Sequence, residues 1–212
     1  MKQKSIPHTT HNGPPAAEAP SYFQCPECGF LSADARFGAG EVPCPDCHSS
    51  GARPRAFPSD RLRRLDERIR HYNAEGDWEV VVILAETFLE SILEDIIDRI
   101  LAAHGADVTV RSVVLDGQRA IGARIGRLFP ALTGEEFEEV AAELGFRDFP
   151  HRWRVLRGAR NAFIHDSPFH GPQEKLDPAT AHEAMILLDQ AYKLFVLINN
   201  RFVADGFGKH GR

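Results

Sequence analysis

A chain of 212 residues with 25 Lys/Arg against 30 Asp/Glu carries a net charge of −5, and is long enough for one cored domain plus a small appendage. That balance excludes a generic polyanion binder, and no apolar run approaches the roughly 20 residues that cross a bilayer. The first residues hold Lys2 and Lys4 but no hydrophobic signal core, so the chain is expected to be cytoplasmic with no membrane partner.

Residues 1–20 combine Pro7, His8, His11, Gly13, Pro14, Pro15 and Pro20 with little apolar content, and are expected to form a disordered tail. All four cysteines of the chain follow, within 21–50. Cys25-Pro26-Glu27-Cys28 and Cys44-Pro45-Asp46-Cys47 are two knuckles separated by 15 residues. Each turn presents two thiolates, and two turns complete a tetrahedral shell with no open position, so a structural zinc ion is the expected cofactor. Gly29 allows the first knuckle to fold back, while Phe30, Leu31 and Phe37 offer a small core. The module resembles zinc ribbons of the Cys-Pro-x-Cys type. Such ribbons bind nucleic acid or protein, with Phe23, Phe30 and Phe37 here as either stacking or packing groups.

Residues 51–59, with Gly51, Pro54 and Pro58 among Arg53 and Arg55, read as a linker. From residue 60 the period is helical. Leu62, Leu65 and Ile69 form the first stripe. Asn73–Asp77 breaks it, and a second helix runs from about Trp78 to Ala103. Its stripe is Val81, Leu84, Ala85, Phe88, Ile92 and Ile96, with Glu79, Glu86, Glu90, Glu94 and Asp95 as polar surface. His104-Gly105 ends it. Val108, Val110, Val113 and Val114 favour a strand by propensity, whereas Ser112 caps a third helix expected to stop at Phe129, before Pro130. A short acidic helix to about Leu144 follows, then one from near Pro150 to His165, a loop over 167–172, and a long helix from Pro178 to Val203 that buries Ala184, Leu187, Leu188, Ala191, Leu194, Phe195 and Ile198. The expected class is all-α: a helical bundle over 60–205, preceded by the cysteine module and closed by a tail at 206–212.

Arg147, Arg152, Arg154, Arg157 and Arg160 crowd into 14 residues opposed only by Asp148. They read either as a solvated helix face or as a patch for phosphates, with Arg152, Arg154 and Arg157 as candidate substrate-binding residues. The stretch ends in Arg160-Asn161-Ala162-Phe163-Ile164-His165. A permanent cation and a ring titrating near neutrality can together stabilise and protonate a phosphate ester. Alternatively, both charges merely complement a helix C-terminus. Five residues span about 140° of a helix, so the two side chains do not share one face.

In its position late in an all-α bundle, this segment resembles the R-x4–6-H signature of HEPN domains, in the form where a polar residue follows the arginine. The resemblance covers about 60–205 and implies a metal-independent endoribonuclease, a toxin or anti-phage defence effector. RNA would be the substrate, a homodimer the assembly, and an antitoxin or regulatory protein a further partner. Arg160 and His165 would be catalytic, with Asn161 orienting and Glu86 a supporting acid of lesser weight than an ordinary surface glutamate. Two other readings stand beside it: a catalytically silent HEPN-like nucleic-acid or nucleotide binder, and a protein-interaction adaptor.

Overall fold

Capping chemistry and a 3.6-residue apolar period account for nearly every long element of the chain. The computed structural model describes residues 20–165 and 176–204, with backbone alone at 53–56. Residues 1–19 of the tail expected over 1–20, residues 166–175, which include the loop expected over 167–172 and His170, and the residues after 204 lie outside those described.

At the N-terminus β1 (Tyr22–Gln24) pairs antiparallel with β2 (Leu31–Ser32), and the first knuckle forms the turn between them. Helix α1 (Ala35–Gly38) follows, its first N–H groups capped by Asp34. Strand β3 (Arg53–Phe57) pairs with the other edge of β1, giving the order β2-β1-β3. The segment expected as a linker therefore supplies a strand. Phe57 anchors it: the ring is fully buried, 5.9 Å from Tyr22 and 5.4 Å beneath the Arg99 guanidinium.

Ser59 caps α2 (Asp60–Glu75), which Gly76 ends at a φ of +82°. Helix α3 (Trp78–Ala103) is the central element, packed along α9 (Pro178–Asn199), with α2 and α8 (Phe149–His165) also against it. The stripes expected on α3 and α9 are buried, apart from half-buried Leu84, and Val82, Leu89 and Leu93 widen the α3 face. Between α3 and α8 the chain differs from expectation. The valine-rich segment is helical, α4 (Val108–Gly117), because Asp107 accepts the N–H groups of Thr109 and Val110 and starts the helix before Ser112. It stops at Gln118 instead of running to Phe129. After α5 (Ile121–Ala123) comes a π-helical turn, Arg124–Leu128, from which Arg124 bonds back to the carbonyl of Gln118 and to Glu94. Pro130 sits in the first turn of α6 (Phe129–Thr133), where a missing N–H costs nothing. Helix α7 (Phe137–Glu143) then leads to α8.

Phe129, Phe137, Phe149, Trp153 and Phe195 form the aromatic part of the core between α6, α7, α8 and α9. The cysteine module is docked to this bundle. Tyr22, Leu31 and Phe57 join the bundle core, and the π-helical turn Asn200–Ala204 that ends α9 reaches the sheet. The Asn200 amide accepts from Leu31 N at 2.8 Å and donates to Leu31 O at 2.9 Å, behaving like a further strand. Asn199 donates to the carbonyl of Gly29 at 3.1 Å. No described helix is long and apolar enough to cross a membrane.

Candidate functional site

Two places in the molecule gather chemistry. The first is the cysteine cluster. The two knuckles repeat one hydrogen-bond pattern: Cys25 N donates to Phe30 O and Gly29 N to Cys25 O, while Cys44 N donates to Ser49 O and His48 N to Cys44 O. Gly29 and His48 hold the matching left-handed position, at φ of +79° and +59°. The four sulfur atoms lie within 4.8 Å of one another, with Cys25–Cys47 and Cys28–Cys44 at 3.6 Å. Those separations approach the edge of a tetrahedron built on metal–sulfur bonds of about 2.3 Å. The Ser49 hydroxyl stands 3.1 Å from both Cys25 and Cys47, placed to donate to thiolates. Four cysteines so arranged can hold a metal ion. Phe37 is buried beside them and Phe23 and Phe30 pack partly buried against the cluster, so the aromatic groups belong to the small core.

The second is α8 and the face of α3 that it covers. The five arginines crowded before residue 161 divide. Arg152 is bound by Glu183 of α9, with its Nη2 at 2.8 Å from the carboxylate, and Arg154 pairs with Glu138 at 3.1 Å. Arg147 is exposed. Arg157 and Arg160 have no ion-pair partner among the described residues, and both lie near enough to Glu86 of α3 to act on it electrostatically. The patch expected to include Arg152 and Arg154 for substrate is thus partly used in holding α8 to its neighbours.

Arg160 is half-buried. Its Nη1 donates to the Asn161 side-chain oxygen at 2.9 Å, and its Nε is buried without a hydrogen-bond partner among the described residues. Asn161 therefore orients the arginine, not the histidine. His165, in the last turn, is exposed on another side of the helix. One copy of α8 does not bring the two groups onto one face.

Glu86 is the residue whose weight the sequence concealed. Expected among the polar surface of its helix, it is fully buried, its Oε2 accepting from Trp153 Nε1 at 2.8 Å and its Oε1 lacking a partner. Burial pushes its carboxyl up to about 7, against the opposing pull of the indole N–H and the two arginines; Glu90 adds to the rise. A signal was present. Val82, Leu89 and Leu93 surround position 86 at helical spacing, so a carboxylate there interrupts an apolar face. His151 is exposed and takes no part.

No family model matches the chain, and no curated protein or solved structure was found to match it.

Proposed function

We propose that the bundle is a HEPN-like endoribonuclease whose reacting groups are Arg160 and His165, with the cysteine module holding a structural zinc ion. The observation that carries this reading is the unsatisfied polar pair at the motif. Among the described residues Arg160 Nε and one Glu86 oxygen are both buried without a hydrogen-bond partner, the Arg160 charge acts on Glu86, and an exposed histidine follows a few residues on. Groups left unpaired in a packed seam cost stability, and such costs concentrate where a ligand completes them. The RNA 2′-hydroxyl loses its proton to the base as it attacks the adjacent phosphorus, the P–O5′ bond breaks, the leaving 5′-oxygen takes up a proton, and the products are a 2′,3′-cyclic phosphate and a 5′-hydroxyl. His165 moves the proton; Arg160, held by Asn161, stabilises charge on the phosphorane oxygens; Arg157 binds the flanking phosphate. The reaction needs no metal at the phosphate. A toxin or defence role, with an antitoxin or regulator restraining it, follows from the same resemblance.

A single copy leaves Arg160 and His165 facing apart, so the reading requires two chains. The outer face of α8 supports this. Val155 is 57% exposed, and Gly158 and Ala162 follow at helical spacing, with no described residue over the Gly158 backbone. An interior helical glycine costs about 1 kcal/mol against alanine. No group among the described residues lies within 4 Å of an added Cβ there, and a second α8 crossing at that point gives the bare backbone a use.

Purified protein should cleave single-stranded RNA in the presence of EDTA, leaving cyclic-phosphate ends. His165→Ala should lower the rate by about 10²–10⁴-fold. Cleavage that survives in that variant overturns the site. Val155→Arg should convert the dimer to monomers in sedimentation and lose cleavage with it; an active monomer overturns the composite site. The non-convergence within one chain also favours a second reading, a silent RNA-binding module. Its mark is RNA binding that survives His165→Ala with no turnover in the parent protein.

A further inference from the structure

Helix α2 carries five arginines between Arg61 and Arg70, and they divide as those of α8 do. Arg63 pairs with Asp60, while Arg70 bonds Asp66 at 3.0 Å and Asp189 at 2.7 Å. Arg61, Arg64 and Arg68 are exposed and have no ion-pair partner among the described residues. Their spacing, three and then four residues, puts them on one face of the helix. They share a surface cavity of about 260 Å³ with Leu65 and with Thr87 of α3.

The position of that cavity gives it meaning. Thr87 is the neighbour in sequence of Glu86, the group on which Arg157 and Arg160 act. Adjacent helical residues differ by about 1.5 Å in height and about 100° in direction. The α2 arginines and the α8 arginines therefore approach neighbouring residues of α3 that point about 100° apart. Glu90 lies on α3 and Glu67 is exposed on α2, so the surroundings of the arginines are not uniformly cationic. In a chain of net charge −5 a polyanion is otherwise repelled.

We propose that Arg61, Arg64 and Arg68 form a phosphate-binding rail that holds the backbone of single-stranded RNA as it leaves the α8 site. The inference rests on the reading that α8 meets RNA. Guanidinium forks match phosphate oxygens in two-point contacts, and a stripe rising about 10 Å along α2 gives a flexible strand successive points of attachment. Leu65 supplies an apolar floor between the charges. A single strand suits a rail on one helix face, whereas a duplex would require a groove-reading element that the bundle does not offer.

The test uses the His165→Ala protein, so that RNA is not consumed, with anisotropy of a short fluorescein-labelled single-stranded RNA read across a salt series. Arg61→Gln/Arg64→Gln/Arg68→Gln should weaken binding by at least about 10-fold at low salt. It should also flatten the slope of log K against log salt by about 2, at about 0.7 per phosphate contact. All three positions are exposed, and an unchanged urea midpoint confirms the fold. Unchanged affinity and slope, with Arg157→Gln lowering both, overturns the rail and leaves the α8 reading intact. Competition by polyglutamate as strong as by RNA overturns the phosphate assignment. A triple-variant loss in a parent protein that never cleaves supports the rail and sinks the nuclease. Absence of RNA binding in the parent removes both.

Discussion

Two carboxylates are fully buried among the described residues, Asp66 on α2 and Glu86 on α3, and the protein treats them differently. Asp66 has its cation in contact: Arg70 Nε at 3.0 Å, with the same guanidinium continuing to Asp189 on α9. Burial still pushes the Asp66 carboxyl upward, but Arg70 is the chief opposing group, and the Tyr192 hydroxyl also acts to lower it. Glu86 has arginines nearby without a hydrogen bond to either, and a single indole N–H in contact. One is an ion pair stitching two helices, with its second oxygen left without a hydrogen-bond partner among the described residues. The other also has one oxygen unpartnered, but no cation is in hydrogen-bond contact with it.

Removing the Asp66–Arg70 ion pair should give the larger loss. Asp66→Ala leaves Arg70, only 14% exposed, with Asp189 alone. Breaking a buried pair from one side costs about 3–5 kcal/mol, and the retained Asp189 contact places this case near the lower end. Urea denaturation should show it as a lowered midpoint; under the proposed function, RNA cleavage per folded molecule should stay unchanged. A loss of cleavage at full stability would put Asp66 in the functional class and erase the contrast with Glu86.

The same contrast explains what the sequence could convey. Helices α2, α3 and α9 are legible because Leu62, Ile69, Phe88, Ile92, Leu187 and Leu194 repeat at helical spacing, and because Gly76 and Asp177 mark their ends. The cysteine cluster is legible because two short spacings carry the whole constellation. Contacts between distant segments left no local trace. Nothing around Phe57 announces that its strand pairs with residues 22–24, and nothing around Asn200 announces a bond to Leu31. The segment 108–129 misled for a different reason. Val108, Val110 and Val113 are exposed, so their spacing reports no core at all, and the turn is closed by Arg124 reaching Glu94, 30 residues away. At the candidate site Arg160, Asn161 and His165 were legible as a motif. The burial of Glu86 depended on which face of α3 meets Trp153, and the loss of Arg152 and Arg154 to ion pairs depended on Glu183 and Glu138. Neither fact exists before the helices are packed.

Glu86 offers the finer test, because its contribution should change with pH over a window set by its raised carboxyl. Its carboxyl titrates near 7 in the folded chain against 4.5 when exposed, so the native state binds the extra proton between those values. Stability attributable to Glu86 is therefore highest below about pH 4.5 and falls as pH rises to about 7, above which the ionised form is fully penalised. A shift of that size corresponds to about 3 kcal/mol at most. Glu86→Gln keeps an oxygen for the Trp153 N–H and removes the charge. It should be close to neutral at pH 5 and stabilising by about 2–3 kcal/mol at pH 8, read from urea midpoints. Subtracting the two proteins cancels the titration of Asp66 and Asp95, whose carboxyls are also raised by burial. If the buried carboxylate serves the motif, the stabilised variant should cleave RNA more slowly than the parent at pH 8, with Arg160 no longer faced by a charge. A Gln variant less stable than the parent at both pH values would make Glu86 a second Asp66, a structural partner with no call on the site.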